Sequence, residues 1–148
     1  VVKVNIGKFV FMPIVLAVLT LMTSLAQAGV VVIGNPGLGV SSLSADLISD
    51  IYLAKTVALP DGTRVKVVDQ QEGSSARKTF YSKVIQKDET QLKAYWAKQI
   101  FTGKATPPDV MAGDKEVKAW VAGTQGGIGY VDDSVVDGTV KVLYKVSN

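Results

Sequence analysis

Short β-branched runs alternate with longer segments of helical period through most of this chain, and that alternation narrows its possible folds more than any other feature. Residues 30–33 are an unbroken Val/Ile run, the mark of a strand buried on both faces. Across residues 43–54, Leu43, Leu47 and Ile51 recur every fourth position, and Ser42 or Ser44 can cap the helix they predict. Pro60-Asp61-Gly62 marks a turn, and residues 64–69 alternate polar and apolar as in a half-buried strand. Residues 70–73 read as a loop. Ser74 then caps a helix running to about residue 85, with Phe80, Tyr81 and Val84 as its apolar side. Asp88 and Gln91 have capping-box spacing, and Leu92, Tyr95, Trp96 and Ile100 are the expected buried stripe of the next helix. Residues 103–109, with Pro107-Pro108, read as a loop. Asp114 opens a short helix carrying Val117, Trp120 and Val121, which Gly123 can close. Residues 128–131 and 139–146 read as two more strands around an Asp137-Gly138 turn. This order predicts one layered α/β domain with a mostly parallel sheet flanked by helices.

The first 28 of the 148 residues stand apart from that pattern. Lys3 and Lys8 precede an uncharged apolar run, residues 9–25, which ends at Ala26-Gln27-Ala28. A basic start, an apolar middle and a small-x-small end predict a cleaved secretory signal over 1–28, a domain over 29–148, and a periplasmic location. The competing reading is an uncleaved anchor, but the run is short for a bilayer and diluted by Pro13, Thr20, Thr23 and Ser24.

The whole chain carries 16 basic and 13 acidic residues; without Lys3 and Lys8 the balance falls from +3 to +1. The charges alternate in sign along the chain, and no basic stripe with interleaved aromatics marks a nucleic-acid surface. There is no cysteine and no histidine. That excludes disulfides, Cys-His and Ser-His-Asp catalysis, and zinc held by either residue. No carboxylate pair or Ser-Lys pair has convincing catalytic spacing, so the chain is not expected to be an enzyme, and no cofactor is expected.

Two glycine-rich segments fail as nucleotide loops. Gly34-Asn-Pro-Gly-Leu-Gly39-Val40-Ser41 has P-loop spacing, but Val40 stands at the lysine position. The glycines from Gly123 to Gly129 run from helix into strand, the reverse of a dinucleotide fingerprint. Asp132-Asp133 reads as a solvated turn, too small a ligand set for a cation. Trp96, Trp120, Tyr95 and Phe101 fall at helical spacing and read as core. The segment from Asp69 to Arg77 says more. It lies where a strand ends and a helix begins, the usual ligand position in open α/β sheets. Helix amides, the Ser74 and Ser75 hydroxyls and the Arg77 fork would make an oxyanion site there; in the plainer reading Ser74 only caps and Arg77 is solvated.

Three segments, in order, resemble those of phosphate ABC transporter substrate-binding proteins. Residues 43–55 (LSADLISDIYLAK) resemble L-x-x-x-x-L-x-x-I-F-x-G-K. Residues 67–80 resemble the phosphate loop V-x-R-x-x-G-S-G-T-x-x-x-F, and residues 127–131 (GIGYV) resemble G-x-I-G-Y-V. The resemblance implies a single type II periplasmic-binding-protein-like lobe that binds phosphate or a similar oxyanion and serves an inner-membrane transporter or sensor. It makes Gly73 and Ser74 ligand contacts, with Gln70, Ser75 and Arg77 beside them. Gln70 stands at the family's arginine position, Ser75 at a glycine and Ala76 at the hydroxyl-bearing threonine. With one lobe, a second copy would have to complete the pocket; otherwise the chain is a ligand-free envelope adaptor that keeps the lobe fold.

Overall fold

The computed structural model describes residues 29–147; the proposed signal segment lies outside them. One five-stranded sheet runs through the domain. Its strands are β1 (Val30–Gly34), β2 (Lys66–Gln70), β3 (Asp109–Met111), β4 (Gly127–Asp132) and β5 (Lys141–Lys145), in the order β3-β2-β4-β1-β5. The helices are α1 (Ala45–Tyr52), α2 (Ser75–Phe80), α3 (Glu89–Phe101) and α4 (Asp114–Gly123).

Strand β1 carries the geometry of the sheet. It lies between β4 and β5 and pairs antiparallel with both, whereas β2 pairs parallel with β3 and β4. The sheet is therefore mixed: β1 runs against its four companions. Burial of its Val/Ile run on both faces follows from its interior position, not from parallel pairing. Successive side chains of β1 feed opposite layers. Val30 and Val32 join a large core with α1, α2 and Leu92 of α3, centred on Tyr52, Phe80 and Tyr130. Val31 and Ile33 join a smaller core with Val117 and Val121 of α4. There β4 must be bare: a Cβ on Gly129 would sit 2.5 Å from Val117 Cγ1, so glycine lets α4 lie directly on the sheet.

Local chemistry sets most helix starts. Ser44 caps α1 by accepting from the Leu47 amide at 3.2 Å. Asp88 and Gln91 form the full capping box of α3. The glycine-rich turn after β1 is pinned by Asn35, whose amide donates to the carbonyls of Val121 (3.0 Å) and Ala122 (3.2 Å). Asp132 caps the short turn of residues 133–135 by accepting from Ser134 at 2.9 Å.

Four expectations need correction. The second strand spans Lys66–Gln70 and does not alternate; its last three residues are all buried because β3 and β4 flank it. The segment read as a loop through Asp109 ends in β3, a strand at the sheet edge beyond Pro107-Pro108. The helix expected over 74–85 is α-helical only to Phe80 and widens into a π-helical turn over Tyr81–Ile85. On α3 only Leu92 of the expected stripe is fully buried; Tyr95 and Trp96 are half-buried, and Ile100 and Phe101, the latter also read as core, are exposed because the helix outruns the core.

Candidate functional site

The carboxyl end of β2 delivers two polar residues, Asp69 and Gln70, into the interior. Burying a carboxylate costs several kcal/mol unless donors surround it. Asp69 is surrounded. Its Oδ2 accepts from Arg77 Nη1 at 2.7 Å and from the Tyr81 hydroxyl at 2.5 Å. Its Oδ1 accepts from the Gln70 amide at 2.8 Å and from the Tyr130 hydroxyl. Gln70 Nε2 donates to Asp114 Oδ1 at 2.8 Å and to the Tyr130 carbonyl at 2.9 Å, and its Oε1 accepts from Ser74 Oγ at 2.9 Å. Among the described residues no buried side-chain nitrogen or oxygen lacks a partner.

The turn into α2 follows from glycine and serine. Gly73 has φ +93°, a left-handed conformation that disfavours any side chain. Ser74 then takes extended backbone angles and its Oγ accepts from the Arg77 amide at 3.0 Å. This is the cap that the sequence predicts. The same hydroxyl also donates to Gln70, so it is committed twice within the protein.

Arg77 is turned inward. Its side chain is 13% exposed, with Asp69 on one side and Glu89 on the other. Glu89 takes both its Nε (2.7 Å) and Nη2 (3.1 Å), Nη1 also reaches the Gln70 carbonyl at 3.0 Å, and the guanidinium lies over the Tyr81 ring. Burial works against its charge, but the Glu89 hydrogen bonds and the Asp69 charge outweigh it and raise the pKa above the ordinary arginine value. Arg77 in turn holds Glu89 below the usual carboxylate range, chiefly through their hydrogen bonds. Tyr81 and Tyr130 are both pushed up, first by burial and then by the facing charge of Asp69.

Of the five residues singled out from sequence, the structure brings Gln70, Ser74 and Arg77 into one network, bonded mainly to one another and to acids. Gly73 and Ser75 stay exposed on the turn. Ser75 and Ala76 open α2, and among the described residues no hydrogen bond engages their amides. A groove of about 440 Å³ borders the turn, lined by Glu72, Gly73, Lys78, Tyr81, Ser82 and Lys87 among others. Sequence reasoning missed Asp69, Tyr81, Glu89, Asp114 and Tyr130 as members of the cluster. The one signal available was Asp69 itself, a charge directly after two valines in a strand between buried neighbours.

No family model matches the chain, and no curated protein matches it. Solved structures do. A candidate phosphate ABC transporter substrate-binding protein from Clostridium perfringens, with bound phosphate, superposes with a TM-score of 0.64 at 24% identity over 78% of this chain. An ABC-type phosphate transport receptor from Vibrio cholerae gives 0.63 at 17% identity, and PstS from Borrelia burgdorferi gives 0.59 at 12%, each again over 78% of this chain. The match covers 44%, 45% and 46% of those three chains, so this chain spans less than half the length of the structures it resembles. At such identities the likeness shows the fold: one α/β sheet unit of the kind phosphate-binding proteins contain.

Proposed function

We propose that residues 29–148 are a non-enzymatic solute-binding module for phosphate or a similar oxyanion. The observation that carries this reading is the position of the Gly73–Ser75 turn. It sits at the strand-to-helix junction of a fold shared with phosphate-binding proteins. The oxygens would be received by the Ser75 hydroxyl and the amides of Ser75 and Ala76. Ser74, Gln70 and Arg77 would hold the turn in shape, with Arg77 shielded by its two carboxylates. With Glu72, Asp69, Glu89 and Asp114 close by, the site favours a singly charged anion and binds it weakly, because water competes on its open side. A second copy closing over the turn would strengthen it. Residues 1–28 would export the module to the periplasm, where an inner-membrane transporter or sensor would be its partner.

Calorimetric titration of the chain from Gly29 with phosphate, at constant ionic strength and with sulfate as control, tests this reading. Saturable phosphate binding that weakens in Ser75→Pro is expected. The substitution removes an amide at the first helical position, which proline tolerates. A second reading has its own support: the internal pairing of Gln70, Ser74 and Arg77 leaves the cluster complete without ligand. Absence of heat, and no rise in melting temperature at high phosphate, would favour that reading, a ligand-free envelope adaptor.

A further inference from the structure

The alternation of charge along the chain breaks in one contiguous segment. Residues 77–104, which span α2, the π turn and α3, hold seven basic residues and two acidic ones. The rest of residues 29–148 holds seven basic and eleven acidic. Arg77 is consumed by the buried cluster, so the outward charge of this segment is lysine: Lys78, Lys83, Lys93, Lys98 and Lys104 are exposed, and Lys87 is half-buried over the Tyr95 ring.

The same segment carries the most exposed large apolar side chain in the domain. Phe101 is 92% exposed, and Ile100 beside it is 55% exposed. Ile100, Trp96 and Pro107 line one groove, of about 380 Å³. The charged Glu72, Arg77 and Glu89 also line it, and Trp96 is shared with a smaller, more apolar cleft that Val57 and Pro108 help to line. The end of α3 is also well tied. Thr102 Oγ1 donates to the Lys98 carbonyl at 2.8 Å, the Gly103 amide to Ile100 at 3.0 Å and the Lys104 amide to Gln99 at 2.9 Å. Phe101 is held outward on a capped helix end, between Lys98 and Lys104.

We infer that the outer end of α3 is a docking surface for an anionic phospholipid membrane, with Phe101 and Ile100 entering the interface and Lys98, Lys104 and Lys93 meeting the headgroups. Charge complementarity selects this occupant. A second copy on the same face would set lysine against lysine. Protein interfaces are depleted in lysine and favour arginine, and the exposed cations of this segment are all lysines, Lys93 paired at 3.4 Å with the exposed Glu72, with stems that can lie along apolar surface and the amine in water. A single-stranded nucleic acid would use the lysines and stack a base on Phe101, but among the described residues no second exposed aromatic continues the platform. The inference is independent of the oxyanion site.

The test is co-sedimentation of the chain from Gly29, which holds the described sheet and both described cores, with vesicles of equal parts phosphatidylglycerol and phosphatidylcholine, against pure phosphatidylcholine. Binding to the anionic vesicles alone is expected, falling as salt rises. Lys98→Gln with Lys104→Gln should weaken it about 25-fold, at roughly fivefold per lysine. Phe101→Ser with Ile100→Ser should weaken it about tenfold or more through lost apolar contact. All variants should keep their melting temperature and any phosphate response. Equal binding to both vesicles, no binding, or binding indifferent to Phe101 and Ile100 overturns the inference. So does equally tight binding to DNA, or a dimer in sedimentation velocity that the Phe101 variant abolishes.

Discussion

The two ends of α3 are built on opposite terms. At its start, Glu89 reaches back to Arg77 and closes a buried cluster in which acids, tyrosines, arginine and glutamine satisfy one another. About 20 Å further along, by the rise of an α-helix, Phe101 stands almost wholly in water between two lysines. The first end turns its polar groups inward; the second leaves a large apolar group almost wholly exposed. A buried polar group is costly when one partner is removed, whereas an exposed apolar one contributes little to folding. The contrast separates the part of the helix that holds the fold from the part free to meet something else.

The largest expected effect comes from breaking the first end. Asp69→Ala removes the acceptor shared by Arg77, Tyr81, Tyr130 and the Gln70 amide. Urea unfolding should show a loss of about 3–5 kcal/mol, the range for one partner taken from a buried ion pair. A loss below 1 kcal/mol would mean that water fills the gap and that the cluster is less sealed than its geometry implies.

A smaller effect follows from the tyrosines. Burial, and then the charge of Asp69, raises the pKa of Tyr52, Tyr81 and Tyr130 above the ordinary value. A group whose folded pKa is raised contributes fully below its unfolded pKa, here near 10, and loses that contribution as pH climbs toward the folded value. Each such tyrosine should cost about 1.4 kcal/mol of stability per pH unit above 10. Thermal melts between neutral and strongly alkaline pH check the slope, and Tyr81→Phe should reduce it by one tyrosine's share. Glu89 has the opposite sense: its lowered pKa gives a contribution present above the normal carboxylate range and lost as pH falls. At 36% exposure its share is modest.

The parts of this molecule that could be read from sequence are those whose cause is local. The caps at Ser44, Ser74 and Asp88 depend on residues three apart, and the β1 run on four adjacent β-branched side chains. What could not be read depends on contacts made at a distance. Arg77 finds Glu89 twelve residues on, in another helix, and no spacing rule foretells that pair. Whether β1 ran parallel could not be told from its burial, because any interior strand is buried on both faces. β3 was masked by Pro107-Pro108, yet a short edge strand accommodates nearby prolines. The stripe of α3 was correct as a face up to Leu92 and Trp96. Period alone does not say how far along the helix the core extends, and here it ends before Ile100.

The smallest expected effect is the sharpest test of the contrast. Phe101→Ser removes an aromatic ring that helical spacing assigns to the core and the structure assigns to solvent. If the side chain packs against nothing in the folded domain, the substitution should change unfolding free energy by no more than about 0.5 kcal/mol, as at other surface positions free of special contacts. A core phenylalanine cut to a small residue costs about 3–5 kcal/mol. The two outcomes are far enough apart for one pair of urea melts to separate them. A near-zero result would also mean that folding does not account for a bare phenylalanine at the end of a capped, lysine-flanked helix. The reason for that residue would then have to be sought in whatever the surface meets.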